Sequence, residues 1–400
     1  MRVAWVIDNK YRDLYGLYSL KKKLKKNNIE LILINKYHWK FAIKFFDPHY
    51  VVLPNIYKTS GLPILKFCVT HKIKAILYNV EGFHTDENLL QIYFPNRYIK
   101  NLYKIFVWCP QEKKYLTKIG YPKNNIITTG SLRYQGNVTK KFPLKVKTIG
   151  IISSNKFFSG RFYDKEGSAI IYQIFRWKDE NSLDAKHTIG FMHYELDFIN
   201  VFKKIIFSSK KKYNFILRPH PFEDSDFYKN KYFQIDKSIT INDFLAKVDI
   251  VLNHYSSATL DALKLNIPVI SLEKILAGSY KYKSLDNFFP LSLSYKVKNI
   301  KNLTQIFDDK TFLKNYKKKY KLKFDKIFNK FHPTKNGINL MIKNFNHFEK
   351  KRKFNFFKSL FFLLVYEIYY FLKYDRDTAY RFYSIKDQKL LKKFDIFNDK

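Results

Sequence analysis

The sequence predicts two successive parallel α/β domains followed by a helical, strongly basic tail. Three observations lead there. Short β-branched runs alternate with amphipathic segments through the first 130 residues, the alternation restarts near residue 148, and beyond about residue 300 only helical spacing remains. A chain of 400 residues exceeds one ordinary core and suits this division.

In the first half, strands are expected at 3–7, 30–34, 50–53, 75–79, 105–108 and 126–129, and helices at 17–26, 62–70 and 111–119. Strands separated by helical patterns imply right-handed crossovers and a parallel sheet covered on both faces, a Rossmann-like arrangement. A Lys- and Pro-containing connection at 140–147 follows. The second half repeats the pattern with strands at 148–152, 213–217, 249–252 and 268–272, and helices within 196–208 and at 242–247 and 255–265. Residues 157–190 lack clean periodicity and read as a loop or partial helix. Further on, Phe312, Tyr316, Tyr320, Phe324 and Phe328 recur every four residues with lysines between them, an amphipathic helix. The boundaries expected are 1–145, 146–335 and a basic aromatic extension at 336–400.

The net charge of +40 predicts attraction to a polyanion: nucleic acid, acidic membrane or phosphorylated substrate. Lys outnumbers Arg 64 to 10, a bias that an AT-rich genome also produces, and one that argues against nucleic acid because forked base and phosphate contacts favour Arg. No nucleic acid partner is therefore expected. Cys68 and Cys109 lack the spacing of a zinc site and are too few for a disulfide framework, so buried reduced thiols are expected. The start, Met1 to Asp8, reads as a first strand and not as a secretory signal. The apolar run at 359–366, bounded by Lys358 and Glu367, is too short to cross a hydrocarbon core of about 30 Å. The cluster at 350–353, followed by Phe354, Phe356 and Phe357, suits either an interfacial helix on an anionic membrane through residues 350–373 or a helix packed on the protein itself.

Three segments could carry chemistry. In Tyr213 to Pro221 an apolar strand runs into Arg218-Pro219-His220-Pro221, where flanking prolines fix the backbone and hold the imidazole at a strand end. Such a histidine can address a phosphate, or can simply end the strand in a turn, as His332-Pro333 is expected to stop a helix. The second segment, Asp249 to Leu263, is a strand, a hydroxyl-rich turn and a helix start. Ser256 and Ser257 there offer hydroxyls and free N–H groups to an anion, or serve as an ordinary N-cap. In the third, Glu81-Gly82 follows the strand at 75–79, so a carboxylate sits where parallel sheets gather ligands. It could deprotonate an acceptor hydroxyl, attack an anomeric carbon, or only cap the turn.

Together, Glu81-Gly82, His220-Pro221 and Ser256-Ser257 resemble the D/E-D/E-G, HP and SS motifs of bacterial GT-B glycosyltransferases that use CMP-activated sugars, sialyltransferases and Kdo transferases among them. Residues 249–272 are also similar to the matching segment of CDP-glycerol glycerophosphotransferases and of bacterial surface-carbohydrate biosynthesis proteins. The resemblance implies an α/β GT-B fold, catalytic roles for Glu81 and His220, and a nucleotide phosphate held by Arg218, His220, Ser256 and Ser257. Val80 departs from the pattern, standing where the first acid of the pair would be, which leaves Glu195, Glu223 and Asp224 as reserve carboxylates. The acidic string at 223–226 imitates a DxD metal motif and reads as a solvated loop. Enzymes of this type need neither metal nor cofactor.

The function expected is transfer of an acidic sugar, Kdo or sialic-acid-like, from a CMP-activated donor to a surface glycan or lipid-linked acceptor. It would take place in the cleft between domains, on the cytoplasmic side of a bacterial plasma membrane and peripheral to it. The alternatives are a CDP-glycerol-type phosphotransferase, a sugar-nucleotide epimerase on the same scaffold, and a non-catalytic protein binding anionic surfaces or nucleic acid.

Overall fold

The computed structural model describes all residues other than 37, 57–60, 81–89, 91–93, 95, 135–139, 154–182, 210–211, 221–222, 224–227, 229–232, 239, 254–255, 277–292, 332–335, 346–360 and 362–400. The chain forms two compact units, Met1–Gly136 with Phe328–Lys400, and Asn137–Ile327.

Unit 1 runs β1 (Arg2–Ile7), α1 (Lys10–Lys26), β2 (Glu30–Asn35), α2 (Trp39–Phe46), β3 (Tyr50–Leu53), α3 (Gly61–Thr70), β4 (Lys74–Tyr78), α4 (Asn96–Ile99), β5 (Lys104–Val107), α5 (Pro110–Lys118) and β6 (Ile126–Thr128). The six strands are parallel in the order β2-β1-β3-β4-β5-β6. All six residues of β1 are buried, as a strand covered on both faces requires. Helix α1 carries the chain from β1 out to β2, whereas α2 and α3 carry it the opposite way, so right-handed crossovers put α1 on one face and the packed pair α2 and α3 on the other. Helix α2 was not foreseen, because Trp-Lys-Phe-Ala-Ile-Lys-Phe-Phe is short and rich in residues that also favour strands.

Unit 2 runs β7 (Thr148–Ile152), α6 (Leu183–Ser209), β8 (Asn214–Arg218), β9 (Gln234–Ile235), α7 (Ile241–Ala246), β10 (Ile250–Asn253), α8 (Ala258–Lys264), β11 (Val269–Ser271), α9 (Glu273–Leu276), β12 (Tyr295–Lys296), α10 (Ile300–Asp308), α11 (Lys310–Tyr316) and the first part of α12 (Leu322–Phe331), which passes into unit 1 at Phe328. Its sheet is also parallel and six-stranded, ordered β12-β11-β10-β7-β8-β9. Numbered within the unit, this is the 3-2-1-4-5-6 order of a dinucleotide-binding domain, reversing direction between β7 and β10. Helix α6 starts at Leu183, inside the segment expected as a loop or partial helix. Gly150 in β7 is required by packing: a Cβ there would lie 2.8 Å from Phe244 and 2.9 Å from Val248.

Two further departures from the sequence reading have physical causes. The aromatic ladder after residue 310 is interrupted by a π-helical segment, Lys317–Lys321, between α11 and α12. A spacing of four drifts by about 40° per step on a helix of 3.6 residues per turn, and a wider π turn takes up that drift. Phe312, Tyr316 and Phe324 thereby all stay buried. The second departure concerns α13 (Gly337–Asn344), which belongs to unit 1, so that unit is built from both ends of the chain. Phe345 sets its ring 5.5 Å from Tyr50 and 6.0 Å from Phe106, and Lys104 Nζ donates to Asn344 Oδ1 at 2.6 Å. The basic segment 350–373 lies outside the described residues apart from Phe361, as does His332-Pro333.

Candidate functional site

Ligands of open parallel sheets collect at the carboxyl ends of strands, where the strand order reverses. In unit 2 that point lies between β7 and β10, and the sequence places polar residues there: Ser153 after β7, Arg218-Pro219-His220 at the end of β8, and Asn253 and Ser256 at the end of β10. Because β8 and β10 flank β7, the His220 and Ser256 strand ends are separated by two strand spacings, about 10 Å.

A buried carboxylate organises the His220 side. Glu223, 3% exposed, accepts the His220 backbone N–H at 3.1 Å through Oε2 and the Ser153 hydroxyl at 3.0 Å through Oε1. Its own N–H donates back to His220 O at 2.8 Å, and Ser153 N–H donates to Arg218 O at 3.1 Å. The Arg218-Pro219-His220 segment and Glu223 are therefore tied to Ser153 at the end of β7 by two hydrogen bonds, and two more between His220 and Glu223 close the turn on itself. Glu223 is thus a buried clamp and departs from the solvated-loop reading of residues 223–226. Ser153, also in contact with Tyr228 Oη at 2.9 Å, was missed from the sequence, although a strand closing on Ser153-Ser154 was its signal.

Arg218 faces the other way. Its guanidinium, buried over the Phe244 ring, pairs with Asp236 just beyond β9 and donates to Ser238 O at 3.1 Å. Burial pulls the guanidinium below its ordinary value, opposed by Asp236. Burial also raises the Asp236 carboxyl, but the Ser238 hydroxyl, Arg218 and Lys247 outweigh it and leave the group below the ordinary carboxylate range. The structure thus employs Arg218 in holding β8 to the β9 edge.

On the other side of β7, Asn253 is fully buried, and its amide donates to Ser256 O at 3.1 Å and to Thr259 Oγ1, closing the turn into α8. Ser256 Oγ accepts the Ala258 N–H at 3.2 Å. Ser257 occupies the N-cap with helical backbone angles, φ −65° and ψ −13°, so its exposed hydroxyl makes no capping bond. One serine shapes the turn and the other presents a hydroxyl. Glu273, at the end of β11, adds a buried carboxylate 2.9 Å from Lys296 Nζ; a strand running directly into Glu was its overlooked signal.

Unit 1 has a small cleft of its own, about 20 Å³ and so room for little more than a water molecule, lined by Trp5, Tyr78, Trp108, Val80, Arg12 and Arg133 among others. Trp5 and Tyr78 meet edge to face at 5.3 Å, and Tyr78 Oη accepts the Leu132 N–H at 2.7 Å. At the mouth, Arg12 bonds Asp8 at 2.8 Å and Asp13 at 2.7 Å, while Lys36 bonds Asp8 at 2.9 Å. Burial alone would raise the Asp8 carboxyl; Arg12 and Lys36 reverse this and hold it below its ordinary value. Glu81 lies outside the described residues; Val80, immediately before it, lines this cleft. Of the reserve carboxylates, Glu195 is buried in α6 and Asp224 lies outside the described residues.

Burial pushes the Cys68 thiol up to about 12 and raises Cys109 as well, so neither is a nucleophile. Among the described residues no group of three or more His, Cys, Asp or Glu side chains could hold a metal ion, and no helix is long and apolar enough to cross a membrane.

No protein-family model matches the chain, and no curated protein matches it. Among solved structures, the UDP-GlcNAc 2-epimerase of Methanocaldococcus jannaschii in complex with UDP-GlcNAc and UDP is similar with TM-score 0.50 and 12% identity, over 85% of this chain and 98% of that one. The UDP-GlcNAc 2-epimerase from Neisseria meningitidis bound to UDP-GlcNAc gives 0.50 and 12%, over 86% and 99%. The wall teichoic acid polymerase TagF gives 0.48 and 13%, over 86% and 89%. At these identities the likeness is one of fold: the chain has the GT-B architecture of two Rossmann-like domains.

Proposed function

We propose that the protein is a GT-B glycosyltransferase that takes an acidic sugar from a CMP-activated donor. The reading is carried by His220, clamped by Glu223 after β8, and by the Ser256-Ser257 turn, which stand on either side of β7 at the carboxyl edge of the unit 2 sheet. In this reading His220 and the Ser257 hydroxyl contact the nucleotide phosphate, Ser256 holds the turn, and Glu273 receives the ribose hydroxyls. Arg218 supports the His220 strand end without touching the ligand. Unit 1 takes the acceptor, a glycan or lipid-linked sugar.

Transfer forms a bond from the acceptor oxygen to the anomeric carbon and breaks the bond from that carbon to the phosphate oxygen. The acceptor proton goes to Glu81, and CMP leaves with its charge met by His220 and the α8 turn. No resident metal or cofactor takes part, and the enzyme works on the inner face of the plasma membrane.

The expected result is that His220→Ala and Ser256→Ala/Ser257→Ala each keep a folded protein and reduce transfer by about 100-fold or more. Full activity in both variants would remove the phosphate-site assignment. CMP, CDP, UDP, UMP and GDP compared by thermal shift distinguish donors, since a selective ligand raises the melting temperature. Selectivity for CMP supports the proposal. A product that gains phosphorus points instead to CDP-glycerol-type transfer, and turnover without acceptor points to epimerisation, a second reading prompted by the epimerase fold of the structural neighbours.

A further inference from the structure

We infer that the outward face of α2 and α3 in unit 1 docks on an anionic lipid bilayer, with Phe41 and Val69 entering the headgroup boundary and Lys40, Lys44 and Lys66 meeting lipid phosphates. The inference is independent of the reaction proposed above and concerns residues outside 350–373.

Both helices already have a complete inner face. Ala42 and Ile43 of α2, and Leu62, Ile64, Leu65 and Cys68 of α3, are buried in the unit 1 core. On a helix that only covers a sheet, the remaining face is polar. Here Trp39, Phe45 and Phe67 lie partly buried against that core, and outside them the face is still apolar: Phe41 is 52% exposed and Val69 49% exposed. Phe41 stacks on Phe45 at 5.9 Å, Trp39 meets Phe67 edge to face at 5.3 Å, and Phe67 stacks on His71 at 3.9 Å. The rings form clusters on adjoining helices, and such a patch on a protein surface marks an interaction site.

Charge selects the partner. Residues 36–80 contain seven lysines, no arginine and a single acid, Asp47. Lys40, Lys44, Lys66 and Lys72 are exposed beside the rings. Apolar rings flanked by cations of one sign fit a surface that is apolar beneath and anionic above, which is a bilayer bearing acidic headgroups. A second copy of the chain would bring lysines against lysines. A nucleic acid would engage the lysines but favours arginine forks, and this segment has none.

The test uses the full chain. Because Cys68 and Cys109 are buried, Val69→Cys supplies an accessible thiol for an environment-sensitive fluorophore. On phosphatidylcholine vesicles containing phosphatidylglycerol the emission should shift to the blue, and on phosphatidylcholine alone it should not. Removing Lys40, Lys44 and Lys66 as glutamines should weaken partitioning about fivefold per lysine. Phe41→Ser should weaken it about tenfold with the melting temperature retained. The inference is overturned by failure to bind anionic vesicles, by binding with the fluorophore still in water, which would locate the contact elsewhere, or by self-association that Phe41→Ser abolishes.

Discussion

Replacing Glu223 tests the core of the site without touching any group assigned to the ligand. Its carboxylate accepts two hydrogen bonds, from Ser153 Oγ at 3.0 Å and from His220 N–H at 3.1 Å, at a residue 3% exposed. Hydrogen bonds to a buried charged acceptor contribute about 1.5–3 kcal/mol each. Ser153 keeps Tyr228 Oη as a partner after truncation, whereas the His220 N–H loses the acceptor it has in Glu223. Glu223→Ala should therefore cost about 3 kcal/mol, and Glu223→Gln, which retains an acceptor oxygen, about 1 kcal/mol. Urea denaturation of the full chain, followed through the transition of unit 2, measures both. The same variants titrated with CMP report whether the turn still presents His220: the alanine variant should lose the ligand-induced thermal shift and the glutamine variant should keep most of it. An alanine variant as stable as the parent, or one that is destabilised yet binds CMP unchanged, would refute the positioning argument.

Other expectations concern packing and charge. Gly150→Ala should cost about 1–3 kcal/mol by crowding Phe244 and Val248, while Gly61→Ala, whose Cβ would fall 1.7 Å from the Asn55 carbonyl oxygen, should be far more damaging; melting temperatures order the two. Phe345→Ala should cost about 3–5 kcal/mol in the unit 1 transition, because that ring is 2% exposed; an unchanged midpoint would detach the C-terminal segment from unit 1. Lys264, pushed down to about 8 by burial against the opposing pull of Asp261, binds its proton less well folded than unfolded. Its penalty is present in full below pH 8, fades as pH rises and is gone above the ordinary lysine value. Lys264→Met should accordingly stabilise at pH 7 by at most about 3 kcal/mol and bring no gain near pH 11, as paired denaturation curves would show.

Much of the fold could be read along the chain. The alternation of apolar strands and amphipathic helices placed β1 to β6, β7, β8, β10 and β11 to within one or two residues, because a buried parallel strand is a short continuous apolar run. The elements missed, β9, β12, α2, α4 and α9, are only two to eight residues long and owe their state to neighbours. The site divides in the same way. His220 and the Ser256-Ser257 turn were visible because prolines and paired hydroxyls beside strand ends are local signals. Ser153, Glu223 and Glu273 act through partners distant in sequence, such as the 70 residues between Ser153 and Glu223.

By itself, then, the sequence determined the class of the protein: hydrophobic periodicity dictates which segments become strands and helices, and helical crossovers between successive strands make their sheets parallel. Only the tertiary structure decided what each polar group does. It turned Arg218 toward Asp236, made Glu223 a clamp for His220, and returned Phe345 to the first unit's core. The physical reason is range. Backbone propensity and burial pattern act over a few residues, whereas a buried charge or ring is assigned by whichever partner the completed sheet brings within about 3–6 Å.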